Sequence, residues 1–147
     1  MRPKSPAMDD AGTARQQRVK DDMRKFQPYL IGLLFVAAGA LHFKNPRMYE
    51  AIVPPFLPAH RELVLTSGFF EMLGGLGVMF PQTRRAAGYG LIALLIAVFP
   101  ANVYMAVDTA KFGKLVPTPI LYGRLPLQFF LIYWIWVACV KARPEQR

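Results

Sequence analysis

Glu71 is the only charged residue in an apolar run that extends from Leu63 to Phe80. If this run crosses a membrane, the carboxylate lies near the middle of the hydrocarbon, where ionisable groups are costly and usually mark functional or paired positions. Ser67, Glu71 and Gly75 are spaced by one helical turn and share a stripe. Because small residues in membrane helices favour contact with other helices, the stripe predicts that Glu71 points into a helical bundle.

Polar side chains also occur in the other three apolar stretches of the chain. His42 ends the first stretch, Asn102 lies in the outer part of the third, and Arg124 and Gln128 begin the fourth. With a rise of about 1.5 Å per helical residue, all of them fall between the midplane and one surface. We therefore predict a small outward-opening pocket formed by six residues: Glu71, Asn102, Gln128, His42, Arg124 and Ser67. Asn102 and Gln128 are the expected direct hydrogen-bond partners of Glu71.

Each of the other polar residues also has a purely structural interpretation. His42 could be an interfacial histidine at a helix end, and Arg124 could extend its charge to lipid headgroups. Asn102 could satisfy backbone groups freed by Pro100, which removes the helical hydrogen bond to the carbonyl of residue 96. Gln128 could make an interhelical hydrogen bond and nothing more.

These residues need helices to position them, and four apolar stretches are suited to that role. The stretches cover roughly 27–43, 63–80, 86–107 and 119–140 in a chain of 147 residues that is 54% hydrophobic and 18% charged. Each approaches the 17–25 residues, roughly, that cross a bilayer. We predict an all-α integral membrane four-helix bundle over residues 26–141. A polar cytoplasmic tail (1–25) precedes it and a basic tail (142–147) follows.

Positive charges bracket the apolar stretches and are not gathered on one face. The net charge is +9, and twelve of the eighteen Lys and Arg residues lie in residues 1–25, the 81–85 turn and residues 141–147. This distribution indicates a lipid bilayer as the partner and argues against nucleic acid. Cytoplasmic loops are enriched in Lys and Arg, so both termini are expected to be cytoplasmic. The very short 81–85 turn makes the second and third spans antiparallel neighbours.

Independent catalysis has no visible basis in the sequence. Cys139 is the single cysteine, so this chain alone can form neither a disulfide nor a thiol relay. No metal, haem or nucleotide motif is apparent, and no catalytic residue is assigned. A non-catalytic function is favoured over an enzymatic one.

The N-terminal region has two interpretations. Ala38-Gly-Ala40 follows an apolar run in the manner of a signal-peptide cleavage site, but the preceding basic region is long and carries four aspartates. A retained span is therefore favoured. Residues 1–25 lack a periodic apolar face and are expected to be disordered, with Pro28 in the first turn of the span.

The connection between the first two spans contains the apolar segment IVPPFLP at residues 52–58. Its three prolines prevent a regular helix, and its apolar side chains would gain nothing by facing water. We expect the segment to fold over the mouth of the bundle or to lie in the membrane interface.

Five segments in order carry a resemblance to a known family: GLLFVAAGALHFKNP, VPPFLP, SGFFEMLGGLGVMFPQTRR, VFPANVYMA and GRLPLQ. Over roughly residues 27–140 the chain resembles the DoxX family of small four-span bacterial membrane proteins. The resemblance implies a four-helix domain in the bacterial cytoplasmic (inner) membrane. It also implies a link to quinol-oxidising or thiosulfate-oxidising systems or to oxidative-stress complexes. With the termini cytoplasmic, the polar cluster faces the periplasm.

Two classes of function remain open at this point. The first is an accessory subunit of a membrane redox, respiratory or oxidative-stress assembly, with quinone or lipid as the candidate ligand of the polar pocket. Its partner would be a redox enzyme. The second is a small proton-coupled transporter or carrier that uses Glu71 as its protonatable site. Because four short spans make a small bundle, transport would require a homo-oligomer.

Overall fold

The computed structural model describes residues 6–113 and 117–141, and all regular structure in these residues is helical. The elements are α1 (Pro6–Lys44), α2 (Pro46–Glu50), α3 (His60–Met79), α4 (Arg84–Val107), α5 (Thr109–Phe112), α6 (Thr118–Ile135) and a π-helical turn (Trp136–Val140). Four segments are long and apolar enough to cross a membrane: Gly12–Lys44, His60–Met79, Arg84–Val107 and Thr118–Val140. The predicted all-α class with four such helices is confirmed.

The N-terminal part of the chain differs from expectation. The prediction of a disordered tail is wrong for residues 6–25, which belong to α1 and continue without a break into its apolar part. This stretch is rich in Ala, Arg, Gln, Lys and Met, all of which favour helix. Pro28 consequently lies inside the helix and not in its first turn, and it is fully buried. Residues 1–5 and the basic tail 142–147 lie outside the described part.

Helices α1 and α3 pack through glycines at backbone-to-backbone distance. A Cβ atom added to Gly32 would lie 2.5 Å from the Gly75 carbonyl oxygen, and one added to Gly75 would lie 2.7 Å from the Gly32 oxygen. Gly39 and Gly68 form a second pair, with corresponding distances of 2.5 and 2.9 Å. Both glycines of each helix are seven residues apart, so the two pairs define one antiparallel register.

The turn between α3 and α4 is held by side-chain bonds to the end of α3. Thr83 Oγ1 donates to the Gly77 carbonyl at 2.7 Å, and Arg84 donates to the carbonyls of Val78 and Met79 at 2.9 and 3.3 Å. The guanidinium donates to carbonyls that the helix end leaves unpaired. Its positive charge also interacts favourably with the negative end of the helix dipole. Helices α3 and α4 are in contact, so the prediction that they are antiparallel neighbours is confirmed.

The bundle is tight at the end that holds the π-helical turn. Cys139 and Val140 pack closely against Gly88 of α4 because it has no side chain. A Cβ at Gly88 would lie 3.0 and 3.1 Å from their side-chain carbons. A buried apolar cluster fills this end: Ile31, Phe35, Val78, Leu91, Ile135, Ala138 and Cys139. Helix α1 contacts the last span mainly at the π-helical turn, whereas α1 and α6 barely touch. The bundle is therefore closed at one end and splayed at the other.

The splayed end is covered by the 52–58 segment and α5. A second cluster joins the ends of α4, α5 and α6 through Met105, Phe112 and Leu121, and Ile52 packs against it. The Lys111 ammonium donates to the Ala51 carbonyl at 3.3 Å. The apolar connection thus lies over the mouth of the bundle, as its composition led us to expect.

The glycine contact between α1 and α3 predicts a large difference between two alanine substitutions. Gly75→Ala should lower the free energy of unfolding by about 1–3 kcal/mol, because the new methyl group meets backbone atoms that cannot move aside. Gly90→Ala is the matched control, since a Cβ there meets nothing within 4 Å. It should leave stability unchanged or raise it by up to about 1 kcal/mol. Reversible unfolding in detergent measures both, and equal effects would contradict the proposed contact.

Candidate functional site

A cavity of about 650 Å³ lies among the four long helices at the splayed end. All six residues predicted from the sequence line it: His42, Ser67, Glu71, Asn102, Arg124 and Gln128. Its remaining wall is mainly apolar and comes from the four helices and from Ile52, Val53, Pro54 and Leu57 of the covering segment. The cavity therefore combines a large apolar volume with few polar groups.

The wall formed by α1 and α3 carries the acidic and imidazole groups. His42 Nδ1 lies 3.7 Å from Glu71 Oε2, and the two side chains are 12% and 13% exposed. Helical side chains lean toward the N-terminus of their own helix, so two side chains on antiparallel helices lean toward each other here. The close approach is possible because His42 sits over Gly68, where an added Cβ would lie 2.6 Å from the His42 Cβ.

The imidazole is oriented by two further contacts. His42 Nδ1 lies 3.0 Å from the Ala38 carbonyl oxygen, one turn earlier in α1, and donates to it in the tautomer that carries the Nδ1 proton. Tyr49 of α2 stacks on the ring, with centroids 3.9 Å apart and planes inclined by 23°. These contacts hold the imidazole plane against the cavity wall, with its edge toward Glu71.

Glu71 differs from the prediction in its partners. The expectation that Asn102 and Gln128 hydrogen-bond its carboxylate is wrong, because those two residues bond each other on the opposite wall. Glu71 Oε2 and Ser67 Oγ are buried, and neither has a hydrogen-bond partner in the described part of the chain. Buried polar atoms without partners are costly. Two such atoms one turn apart in a cavity wall mark a place where a ligand's polar group would be stabilised.

The two amides on the wall formed by α4 and α6 already have hydrogen-bond partners within the protein. Asn102 Nδ2 donates to Gln128 Oε1 at 2.7 Å, and Gln128 Nε2 donates to the Leu95 carbonyl oxygen. Gln128 is only 3% exposed. The sequence suggested that Asn102 repairs the backbone near Pro100, at the carbonyl of residue 96. Instead Gln128 reaches across from the neighbouring helix to the preceding carbonyl, so this pair links α4 to α6.

Arg124 brings a cation to the cavity without a matching carboxylate. Its Nη1 donates to the sulfur of Met105 at 3.2 Å. The carboxylates nearest the cavity are Glu71, which lies beside His42, and Glu50, which pairs with Arg61, and neither contact includes Arg124. A thioether is a weak acceptor, whereas a guanidinium carries five donors. Arg124 therefore retains donors for the acceptor oxygens of a ligand.

Tyr49 is a cavity residue that the sequence analysis missed. It lies outside the long helices, in α2, which begins at Pro46 after the chain leaves α1 at Asn45. Burial raises the pKa of its phenol above the ordinary value; the nearby charge of Glu71 adds to the rise and that of Arg124 opposes it. The phenol thus lies within the field of both charged groups. The one signal in the sequence that could have identified it is that Tyr49 is the only tyrosine between the first two spans.

The model of the family described as Domain of unknown function (DUF8561) matches residues 31–139. The chain belongs to this family. The match includes all six predicted site residues and begins well inside α1, after the polar part of that helix. No curated protein and no solved structure matches the chain.

The amide pair predicts a measurable coupling between α4 and α6. Asn102→Leu and Gln128→Leu should each lower the free energy of unfolding in detergent by about 1–2 kcal/mol, since each leaves a buried partner unpaired. The double variant should lose less than the sum of the two, by about 0.5–2 kcal/mol. Tyr122→Leu, a polar-to-leucine change at an exposed position of α6, is the control. Strict additivity would show that the two amides do not interact.

Proposed function

We propose that the protein is a multi-pass protein of the bacterial cytoplasmic membrane, with both termini in the cytoplasm and the cavity toward the periplasm. Four helices of suitable length and composition support the spanning arrangement. The excess of Lys and Arg at the termini and in the 81–85 turn supports the orientation. In this arrangement the tight end of the bundle, with its π-helical turn, is cytoplasmic.

Within that membrane we propose a non-catalytic binding function for the cavity, with quinone or lipid as the ligand. The supporting observation is a mainly apolar volume of about 650 Å³. Among the described residues, Arg124 has no carboxylate partner there, and the buried atoms Glu71 Oε2 and Ser67 Oγ accept or donate no hydrogen bond. Small-molecule sites commonly have about 300–1,000 Å³ and a few polar groups in an apolar wall. A molecule with a large apolar part and acceptor oxygens matches both properties.

The resemblance to the DoxX family supports the proposal that the chain acts as an accessory subunit of a redox, respiratory or oxidative-stress assembly. In such an assembly a partner enzyme supplies the redox centre. The present chain would hold or deliver the quinone or lipid. This division of roles suits a chain whose cavity offers polar binding groups in an apolar wall.

A proton-coupled carrier is the second candidate, and the His42–Glu71 pair is what favours it. Two titratable side chains at 3.7 Å inside a cavity could exchange a proton with a substrate. Ionisable residues within membrane helices are often parts of proton relays. For a proton-coupled carrier, transport would require the protonatable carboxylate of Glu71 and not the guanidinium of Arg124.

The proposed orientation predicts the accessibility of two positions to labelling. A membrane-impermeant maleimide applied to whole cells should react with Thr118→Cys, at the start of α6, and spare Thr83→Cys, in the turn before α4. The native Cys139 is buried and gives little background. Preferential labelling of residue 83 from outside would reverse the topology.

The proposed binding function predicts which charge retains the ligand. Protein purified from native membranes should carry quinone or lipid detectable by mass spectrometry. Arg124→Gln should reduce this content about tenfold, the equivalent of about 1.4 kcal/mol in binding. Arg61→Gln, which removes an exposed cation outside the cavity, should leave it unchanged.

Glu71 separates the two candidate functions. Under the binding function, Glu71→Gln should remain folded and keep most of its ligand, because the amide preserves shape and hydrogen bonding. Under the carrier function, proteoliposomes with an imposed pH gradient should show substrate-dependent proton flux that Glu71→Gln abolishes. Observation of such a flux, with a ligand content that Arg124→Gln does not change, would replace the first proposal by the second.

A further inference from the structure

We infer that the ligand is a bilayer-dissolved amphiphile with an acceptor headgroup, and that it reaches the cavity sideways through the seam between α1 and α6. The inference rests on the proposed binding function and adds to it a route and an orientation of the ligand. Three features of the cavity carry it: the cover over its aqueous end, the gap between two helices, and the placement of its polar groups.

The aqueous end of the cavity is closed by the 52–58 segment. Ile52, Pro54 and Leu57 line the cavity from this side, and Pro54 is fully buried. The segment is held in place because Ile52 packs against the cluster at the ends of α4, α5 and α6. The hydrogen bond from Lys111 to the Ala51 carbonyl anchors its start. A water-soluble molecule would have to displace this packed segment.

The side of the cavity between α1 and α6 has no comparable cover. The two helices barely touch, since α1 meets the last span mainly at the π-helical turn. Leu34 of α1 and Leu127 of α6 both line the cavity, yet they are 45% and 52% exposed. Phe70 of α3 and Ala97 of α4 are also exposed and line the cavity, but α3 and α4 are in contact, so the opening lies between α1 and α6. In a membrane this opening faces acyl chains, so the cavity is continuous with the bilayer.

The polar groups give the ligand one orientation. Arg124 is the first residue of α6 that lines the cavity, and it lies near the covered end. Its remaining N–H donors favour a ligand with acceptor oxygens. Glu71 and Ser67 face the same space from α3 and can accept from, or donate to, a hydroxyl or a bound water. The wall around Leu34 and Leu127 is apolar. The headgroup therefore lies under the 52–58 segment, and the apolar tail leaves through the seam.

A quinone carbonyl and a lipid carboxylate or phosphate share this acceptor chemistry, so the test uses one probe for each source. The full-length protein is reconstituted in phosphatidylcholine vesicles containing either a diazirine-bearing palmitic acid or a photoactivatable quinone with a prenyl tail. Illumination after increasing times, followed by peptide mapping, measures how fast each probe reaches the cavity. The expected result is labelling of cavity residues by at least one probe. The probe that labels identifies the source.

Substitutions at the seam then test the route. Leu34→Trp and Leu127→Trp should slow labelling of the cavity about fivefold or more, because the larger rings fill the opening. Leu34→Ala with Leu127→Ala should accelerate it. Leu33→Trp and Phe129→Trp are matched controls on the same two helices. These positions are 63% and 61% exposed and lie outside the cavity wall, and they should not change the rate.

The outcomes separate the route from the function. If neither probe labels the cavity of the wild-type protein, the proposed binding function fails and the route fails with it. If labelling occurs but the seam variants match their controls, the route alone is wrong. Slower labelling in Ala97→Trp, a cavity residue of α4 with an exposed side chain, without an effect at Leu34 or Leu127 would place the opening between α3 and α4.

Discussion

The close contact between the backbones of α1 and α3 is the constraint on which the rest of the site depends. Gly32 meets Gly75 and Gly39 meets Gly68, and a methyl group at any of these positions would collide with backbone atoms. Because both pairs must be satisfied together, the two helices have one register. That register brings His42 beside Glu71. The His42 side chain lies in space that is free because Gly68 has no side chain.

The uneven packing of the bundle creates the cavity. At the end with the π-helical turn, side chains of all four long helices form one buried, close-packed cluster. Toward the other end, α1 and α6 diverge and a separate cluster joins only the helix ends. A short apolar segment covers the resulting space from the aqueous side. The cavity volume therefore results from the divergence of the helices and not from a single small residue in the cavity wall.

The two walls of the cavity differ in how their polar groups are satisfied. On one wall the amides of Asn102 and Gln128 bond each other and a backbone carbonyl, which gives them a structural role. On the other wall Glu71 Oε2 and Ser67 Oγ are buried and have no hydrogen-bond partner in the described part of the chain. Arg124 adds a cation that, among the described residues, donates to a sulfur atom and not to a carboxylate. Under the proposed binding function the unsatisfied groups would hold the ligand, whereas the amide pair links α4 to α6.

The sequence by itself determined the class of fold and the general direction of Glu71. Runs of about 20 apolar residues specify helices that can cross a membrane, and their limits agree with α3, α4 and the last span to within a few residues. The spacing of Ser67, Glu71 and Gly75 identified an inward stripe, because residues one turn apart share a face in any helix. Such properties are local and depend on a single helix.

Only the tertiary structure decided which polar groups meet. Glu71 lies beside His42 and not beside the amides, Gln128 bonds the Leu95 carbonyl, and Tyr49 stacks on the imidazole. These contacts depend on the crossing of two helices and on the direction in which each side chain leans, which change interatomic distances by several ångströms. The spacing of residues along one helix contains neither quantity. Likewise, hydropathy alone could not show that the polar residues before the first span continue its helix.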